Sequence, residues 1–231
     1  MPSPTSSRTS LVIACGALAH EITTLLESNG WPYLKVECLP ASLHNRPEQI
    51  APAVLKKIKE SRATFDSIFV AYADCGTGGH LDKVLAEEGV ERLPGAHCYE
   101  FFWGSEAFLT RHENEPGVFY LTDFLARHFE RLVMEELGIR AHPELKEMYF
   151  SHYTKLVYLS QSDLPDVLAM ARSAADTLGL EFEQSIQAVN PKLAMPYWEY
   201  GQDTIIYGEN WPESPIFKWF GTELTTSDTH E

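Results

Sequence analysis

Ser67-Ile68-Phe69-Val70-Ala71-Tyr72-Ala73-Asp74 runs directly into Cys75-Gly76-Thr77-Gly78-Gly79, and this junction decides the fold. An apolar, β-branched and aromatic run of strand length followed by a glycine-rich turn predicts a buried strand that hands over to a helix. Residues 81–88 then read as a short helix and residues 90–98 as a fourth strand. Upstream, residues 11–15 form a short apolar run ending at Cys15-Gly16. A helix at residues 20–28 follows, with Ile22, Leu25 and Leu26 on one face and Asn29-Gly30 as its stop. Residues 33–39 are strand-like, and Ile50, Val54, Leu55 and Ile58 recur at helical spacing. Strands alternating with helices of this length predict an α/β fold. It is a doubly wound, mainly parallel sheet of flavodoxin or Rossmann type with right-handed crossovers.

Downstream, residues 99–153 are dense in aromatics and read as a helical insertion, with Leu121, Leu125, Phe129, Leu132 and Val133 as its stripe. The rhythm resumes with a strand at residues 155–159, a helix at residues 163–178 closed by Gly179, and a last strand at residues 181–189. Trp198, Tyr200, Trp211, Phe217, Trp219 and Phe220 predict an aromatic C-terminal segment that wraps back over the domain. The expected organisation is one α/β domain over residues 11–224, flanked by disordered residues 1–10 and 225–231.

A net charge of −15 with no cluster of lysine or arginine excludes binding to a phosphate backbone. No apolar stretch approaches the ~18 residues of a membrane span, so no membrane partner is expected. Residues 1–10 lack the basic start of a signal peptide, which predicts a cytoplasmic protein with reduced thiols. Four cysteines in such a chain are core residues, metal ligands or reactive thiols rather than a disulfide framework.

Cys15, Cys75 and Cys98 each fall at the C-terminal end of a predicted strand, the rim where open parallel sheets bind ligands. In a flavodoxin-like order the first, third and fourth strands are neighbours. Strand spacing then brings the three thiols within roughly 10 Å of one another. Thiolates suit zinc, copper(I) or iron–sulfur chemistry, and three protein ligands with an open position describe a catalytic zinc site. Zinc is the first expectation, and iron or an iron–sulfur group the second. His44, His97, Asp74 and Glu100 are candidates for a further ligand, with His44 preferred because it follows the second strand at the same sheet edge. Against this stands the ordinary burial of cysteine as a small apolar side chain, which is the reading taken for Cys38.

Gly76, Gly78 and Gly79 could present backbone amides to an anionic cofactor. The loop lacks the Lys-Ser/Thr ending of a P-loop, however, and reads more readily as a tight turn that lets the chain pass close to the cysteines. His97 and Glu100 place acid/base groups beside Cys98 and are the candidate catalytic residues. Phe101, Phe102 and Trp103 form either a pocket wall or ordinary core.

These residues also carry a resemblance. Leu-Val-Ile-Ala-Cys-Gly at residues 11–16, Leu43-His44 before Pro47, Tyr72-Ala73-Asp74-Cys75-Gly76, His97-Cys98, and the segments 102–105 and 116–122 resemble the domain-of-unknown-function 1638 family. That family often has Tyr-Gly-x-Cys and His-Asp-Cys where this chain has Tyr-Ala-Asp-Cys and His-Cys. The resemblance implies a setting beside corrinoid-dependent methyltransferases, with a corrinoid or methyltransferase protein as partner or a small molecule as substrate.

Three functions are expected in turn. The first is a metal-binding protein of one-carbon or methyl-transfer metabolism, linked to a corrinoid through its partner. The second is a metal-free thiol acid/base enzyme of racemase type. The third is a non-catalytic accessory protein that docks to a methyltransferase.

Overall fold

A computed structural model describes residues 9–161 and 164–185, which divide into two compact units, Met1–Cys98 and Tyr99–Glu231. The aromatic C-terminal segment, the tail at residues 225–231 and residues 1–8 lie outside the described residues. No helix among the described residues is long and apolar enough to cross a membrane.

In the first unit β1 (Ser10–Cys15), β2 (Leu34–Leu39), β3 (Ser67–Ala71) and β4 (Glu91–Arg92) form a parallel sheet in the order β2-β1-β3-β4. This is the doubly wound order expected from the strand and helix alternation. β1 is central, pairing Ser10 with Leu34 on one side and with Ser67 on the other. Every residue of β1 is buried, which explains why its sequence is continuously apolar rather than alternating. Helices α1 (Ala19–Asn29), α2 (Ile50–Ser61) and α3 (His80–Glu88) make the crossovers. α1 and α3 each stop at a left-handed glycine, Gly30 and Gly89. Ile50, Val54 and Ile58 are buried on α2, so its apolar stripe is the face it packs inward.

Three expectations change in this unit. The fourth strand pairs only at Glu91 and Arg92 with Phe69 and Val70. Leu93-Pro94-Gly95 ends it, because proline cannot donate to a ladder and glycine turns the chain away. Cys98 therefore sits in a loop, not at a strand end. Cys38, read as core, is exposed because β2 is the edge strand. Ser10, read as disordered, opens β1 and is 5% exposed.

The second unit has its own parallel sheet, β5 (Val118–Thr122), β6 (Lys155–Leu159) and β7 (Glu181–Ser185), in the order β5-β6-β7. Helices α4 (Glu100–Trp103), α5 (Ser105–Asn114), α6 (Asp123–Arg127), α7 (Glu144–Phe150) and α8 (Pro165–Leu178) surround it, with a π-helical stretch at Glu130–Glu135. The segment expected to be a helical insertion in one domain thus contributes a strand and belongs to a separate unit. Pro116-Gly117 starts that strand, and Val118-Phe119-Tyr120 suits a pleated, buried surface. The Leu121–Leu125 spacing that looked helical spans the junction with α6, where the Thr122 hydroxyl accepts the Leu125 amide at 3.3 Å.

The core of this unit joins Leu121, Leu156 and Tyr158 of the sheet to Val167, Ala171 and Leu178 of α8. At the carboxyl ends of β5 and β6, the buried Asp123 carboxylate accepts the Tyr158 hydroxyl at 2.6 Å and the Gln161 amide at 2.9 Å. Near the other ends, Glu183 of β7 accepts Arg111 at 2.7 Å and Lys155 at 3.0 Å. Arg111, and then Lys155, hold the Glu183 carboxyl down to about 2, against a smaller opposing effect of burial.

Two predictions follow from these contacts. Gly117 has φ of 128° and a Cβ there would stand 2.8 Å from the His152 carbonyl oxygen. Gly117→Ala is expected to lower stability by about 1–3 kcal/mol, read from the urea midpoint. The depressed Glu183 pKa means that its contribution is present above its ordinary value of 4.5 and is lost as pH falls toward about 2. The stability gap between the parent and Glu183→Gln should therefore be larger at about pH 6 than at about pH 3.

Candidate functional site

The site is assembled by the loop after β4. The Asp74 amide donates to the Gly95 carbonyl at 3.0 Å and the Cys75 amide donates to the Ala96 carbonyl at 2.9 Å. These two bonds continue the β3–β4 ladder past its last paired strand residues and lay residues 95–98 alongside the end of β3. Arg92 holds the loop from below. Its Nη1 donates to the carbonyls of Leu93 at 2.6 Å and Gly95 at 3.2 Å, while Nε and Nη2 clasp Asp82 of α3 at 2.6 and 2.9 Å.

Asp74 organises the opposite strand of the turn. Its carboxylate accepts the Thr77 hydroxyl at 2.5 Å and the amides of Gly78 and Gly79 at 3.1 and 2.9 Å. Burial alone would raise its pKa, but these bonds, the Thr77 hydroxyl foremost, draw it below the usual carboxylate range. The anion held by the glycine loop is therefore a side chain of the same loop. The amides of Gly78 and Gly79, expected to face a cofactor, are already bonded. Gly76, at φ of 84°, would bring a Cβ within 3.3 Å of Pro47, so its part is the close turn against the segment that carries His44.

Cys75 lies at the apex with φ of 49°, the one non-glycine residue with positive φ among the described residues. Strained backbone of this kind persists where surrounding bonds over-determine it, and it is frequent at functional sites. Cys75 is buried, and its sulfur is hydrogen-bonded by the Cys98 thiol and by His44, which stands on the 3-10 turn Ala41–Asn45 after β2. Those two bonds, that of Cys98 first, outweigh burial and hold the Cys75 thiol below its ordinary pKa. Cys98 moves the opposite way, raised by its bond to the Cys75 sulfur and by burial. The two thiols therefore titrate as a pair, which loses its first proton more readily than a free cysteine and its second less readily.

His97 completes the group. Its Nδ1 lies 3.7 Å from the Cys98 sulfur, and its ring meets that of His44 edge-on at 5.1 Å between centroids. Cys15, at the end of β1, adds its electrostatic influence to both of the other thiols. Burial pushes its own thiol up to about 11, partly offset by an amide bond from Ala17. The structure thus brings Cys75, Cys98, His44 and His97 together with Cys15 beside them. Glu100 opens α4 of the second unit and is buried there.

Two residues that position or line the site escaped the sequence reading. Arg92 carried no signal, since its partners are a carboxylate ten residues upstream and two loop carbonyls. Tyr72 reads in the sequence as a strand aromatic and as the start of the Tyr-Ala-Asp-Cys motif, and carries no role there. Its hydroxyl lies beside the Cys15 thiol without forming a well-directed hydrogen bond.

Chemically, the group offers three cysteine sulfurs and two imidazoles, a soft-to-borderline donor set. Among the described residues no three histidine, cysteine, aspartate or glutamate side chains are gathered closely enough to hold a metal ion as they stand.

The family described as "Protein of unknown function (DUF1638)" matches residues 38–190, about two thirds of the chain, and the protein belongs to that family. The matched span contains His44, Cys75, His97 and Cys98, while Cys15 precedes it. No curated protein and no solved structure matches the chain.

The left-handed backbone at Cys75 separates the thiol from its setting. Cys75→Gly is expected to be more stable than Cys75→Ala by about 1 kcal/mol, because only the alanine retains the Cβ strain. Thermal unfolding of the two variants checks it, and equal midpoints would show that the turn carries no such strain.

Proposed function

We propose that this DUF1638 protein is a metal-thiolate protein, holding a thiophilic ion on Cys75 and Cys98 with His44, and with His97 or Cys15 as the further ligand. Zinc is the first candidate and iron the second. The observation that carries this reading is the gathering of His44, His97 and Cys98, with His97 Nδ1 3.7 Å from the Cys98 sulfur and its ring 5.1 Å from that of His44, around a Cys75 thiol on which Cys98 and His44 both act. Protons that bridge soft donors in this way are the ones a metal ion displaces. Because no three donors yet form a coordination group, loading requires one further side chain to turn inward. His97 and Cys15 are the neighbours placed to do so.

The direct contact between Cys75 and Cys98 also bears on the two-base alternative. A racemase needs its acid and base on opposite faces of a substrate carbon, whereas the mutual influence of Cys75 and Cys98 suits a ligand shared between them. Thiolate-bound zinc lowers the pKa of a bound thiol or water and so suits the methyl-transfer setting implied by the family resemblance. In that setting the chain would serve a corrinoid-dependent methyltransferase, either as a catalyst or as an accessory protein docked to it.

Protein purified anaerobically without chelator is expected to contain about one equivalent of metal. Cys75→Ser, Cys98→Ser and His44→Ala should each lose most of it. Zinc without visible absorption, or iron with a broad band, identifies the ion by elemental analysis and spectrum. Full metal content in Cys75→Ser, or a metal-free parent whose thiols titrate freely, would sink the proposal.

A further inference from the structure

Cys75 and Cys98 lie on chain segments that are fastened to each other. The Cys75 amide donates to the Ala96 carbonyl at 2.9 Å, and Cys98 follows two residues later in a turn. Segments joined by such bonds run about 5 Å apart, and a disulfide spans Cα atoms roughly 4.4–6.8 Å apart. Each thiol is also the foremost influence on the other. The register sets Cys15 apart from this pair. Ala14 is the last residue of β1 paired with β3, at Ala71, whereas Cys75 stands four residues beyond Ala71 in the glycine loop. Cys15 itself pairs with Leu39 of β2, and Cys38 is exposed on that edge strand. Both members of the pair have an imidazole at hand. His44 acts on Cys75, and His97 Nδ1 lies 3.7 Å from the Cys98 sulfur. Cys75 is buried, but Gly76 next to it and Ala96 across from it are exposed, so the pair lies about one residue beneath the surface.

We propose that Cys75 and Cys98 are a site of reversible oxidation, which closes to an intramolecular disulfide when the protein meets hydrogen peroxide. A shallow buried position suits a reactant of that size. The Cys75 sulfur, as thiolate, attacks one peroxide oxygen. The O–O bond breaks, a sulfenic acid forms on Cys75, and the departing hydroxide leaves as water with the proton that the thiol gave up. The Cys98 sulfur then attacks the Cys75 sulfur while its own proton passes to His97. The S–O bond breaks, the S–S bond forms, and the hydroxide leaves as a second water with that proton. Two thiols give up two electrons and one peroxide takes them. A dithiol reductant returns them by exchange through a mixed disulfide. The step needs no metal ion, and a bound ion and the disulfide exclude one another because they use the same sulfurs. The closed form ties the loop at residues 95–98 to the turn after β3 by a covalent bond.

The test treats the full-length protein, reduced and freed of metal with a chelator, with about one equivalent of hydrogen peroxide. Free thiols counted after denaturation should fall from four to two. Mass mapping of the alkylated chain should find Cys75 joined to Cys98, and dithiothreitol should restore all four thiols. Cys38→Ser should form the same link, since the exposed edge thiol takes no part. Cys98→Ser should instead stop at a sulfenic acid on Cys75, which dimedone labels, with a circular dichroism spectrum like that of the parent. Should that variant fail to fold, the map of the parent decides alone. A bond from Cys75 to Cys15 or Cys38, a link between two chains, oxidation that dithiothreitol does not reverse, or four thiols left free overturns the proposal. None of those results touches the metal reading, which metal content tests separately.

Discussion

Two backbone hydrogen bonds, from the amides of Asp74 and Cys75 to the carbonyls of Gly95 and Ala96, are the constraint on which the thiol cluster depends. β4 is only two residues long and could not carry Cys98 to the sheet edge as a strand. The ladder is instead extended by a loop that keeps the β3 register for two more bonds and then turns. The Arg92 guanidinium fastens that loop to α3 through Asp82 and satisfies two of its carbonyls in the same gesture. Buried loop carbonyls left without partners would cost more than the ion pair contributes, so the arginine acts chiefly as a multiple donor.

The glycine-rich turn answers the same need from the other side. Loops of this shape gather amides and attract anions. Here the anion is internal, the Asp74 carboxylate, and the turn becomes a rigid bracket. That bracket holds Cys75 in a left-handed conformation which its own Cβ disfavours. The thiol is consequently aimed by the backbone rather than by rotamer choice, and its two hydrogen-bond partners arrive from separate loops. Stability here is spent on orientation, as expected where geometry matters more than packing.

Much of this was legible from residue pattern. The continuous apolar run of β1, the glycine stops after α1 and α3, and the alternation of strands with short helices specify a parallel sheet. The β2-β1-β3-β4 order then places the first, third and fourth crossings side by side, so convergence of Cys15, Cys75 and Cys98 could be argued from topology. What escaped had a physical reason each time. Cys38 alternates like a core residue, but its strand is an edge. Val118–Thr122 hid because its last residues merge with the stripe of α6, and periodicity cannot mark a boundary between two apolar elements. Arg92 matters through atoms that sequence spacing does not report, the two carbonyls beneath a loop.

The boundary between the two units falls after Cys98. Every member of the thiol and imidazole cluster, from Cys15 to Cys98, therefore precedes it in the order of translation. Domains emerging from the ribosome fold as units with the N-terminal one first. The first unit thus holds all the side chains of its centre once its last residue clears the exit tunnel. Every side chain of the cluster has therefore been made before translation reaches Tyr99.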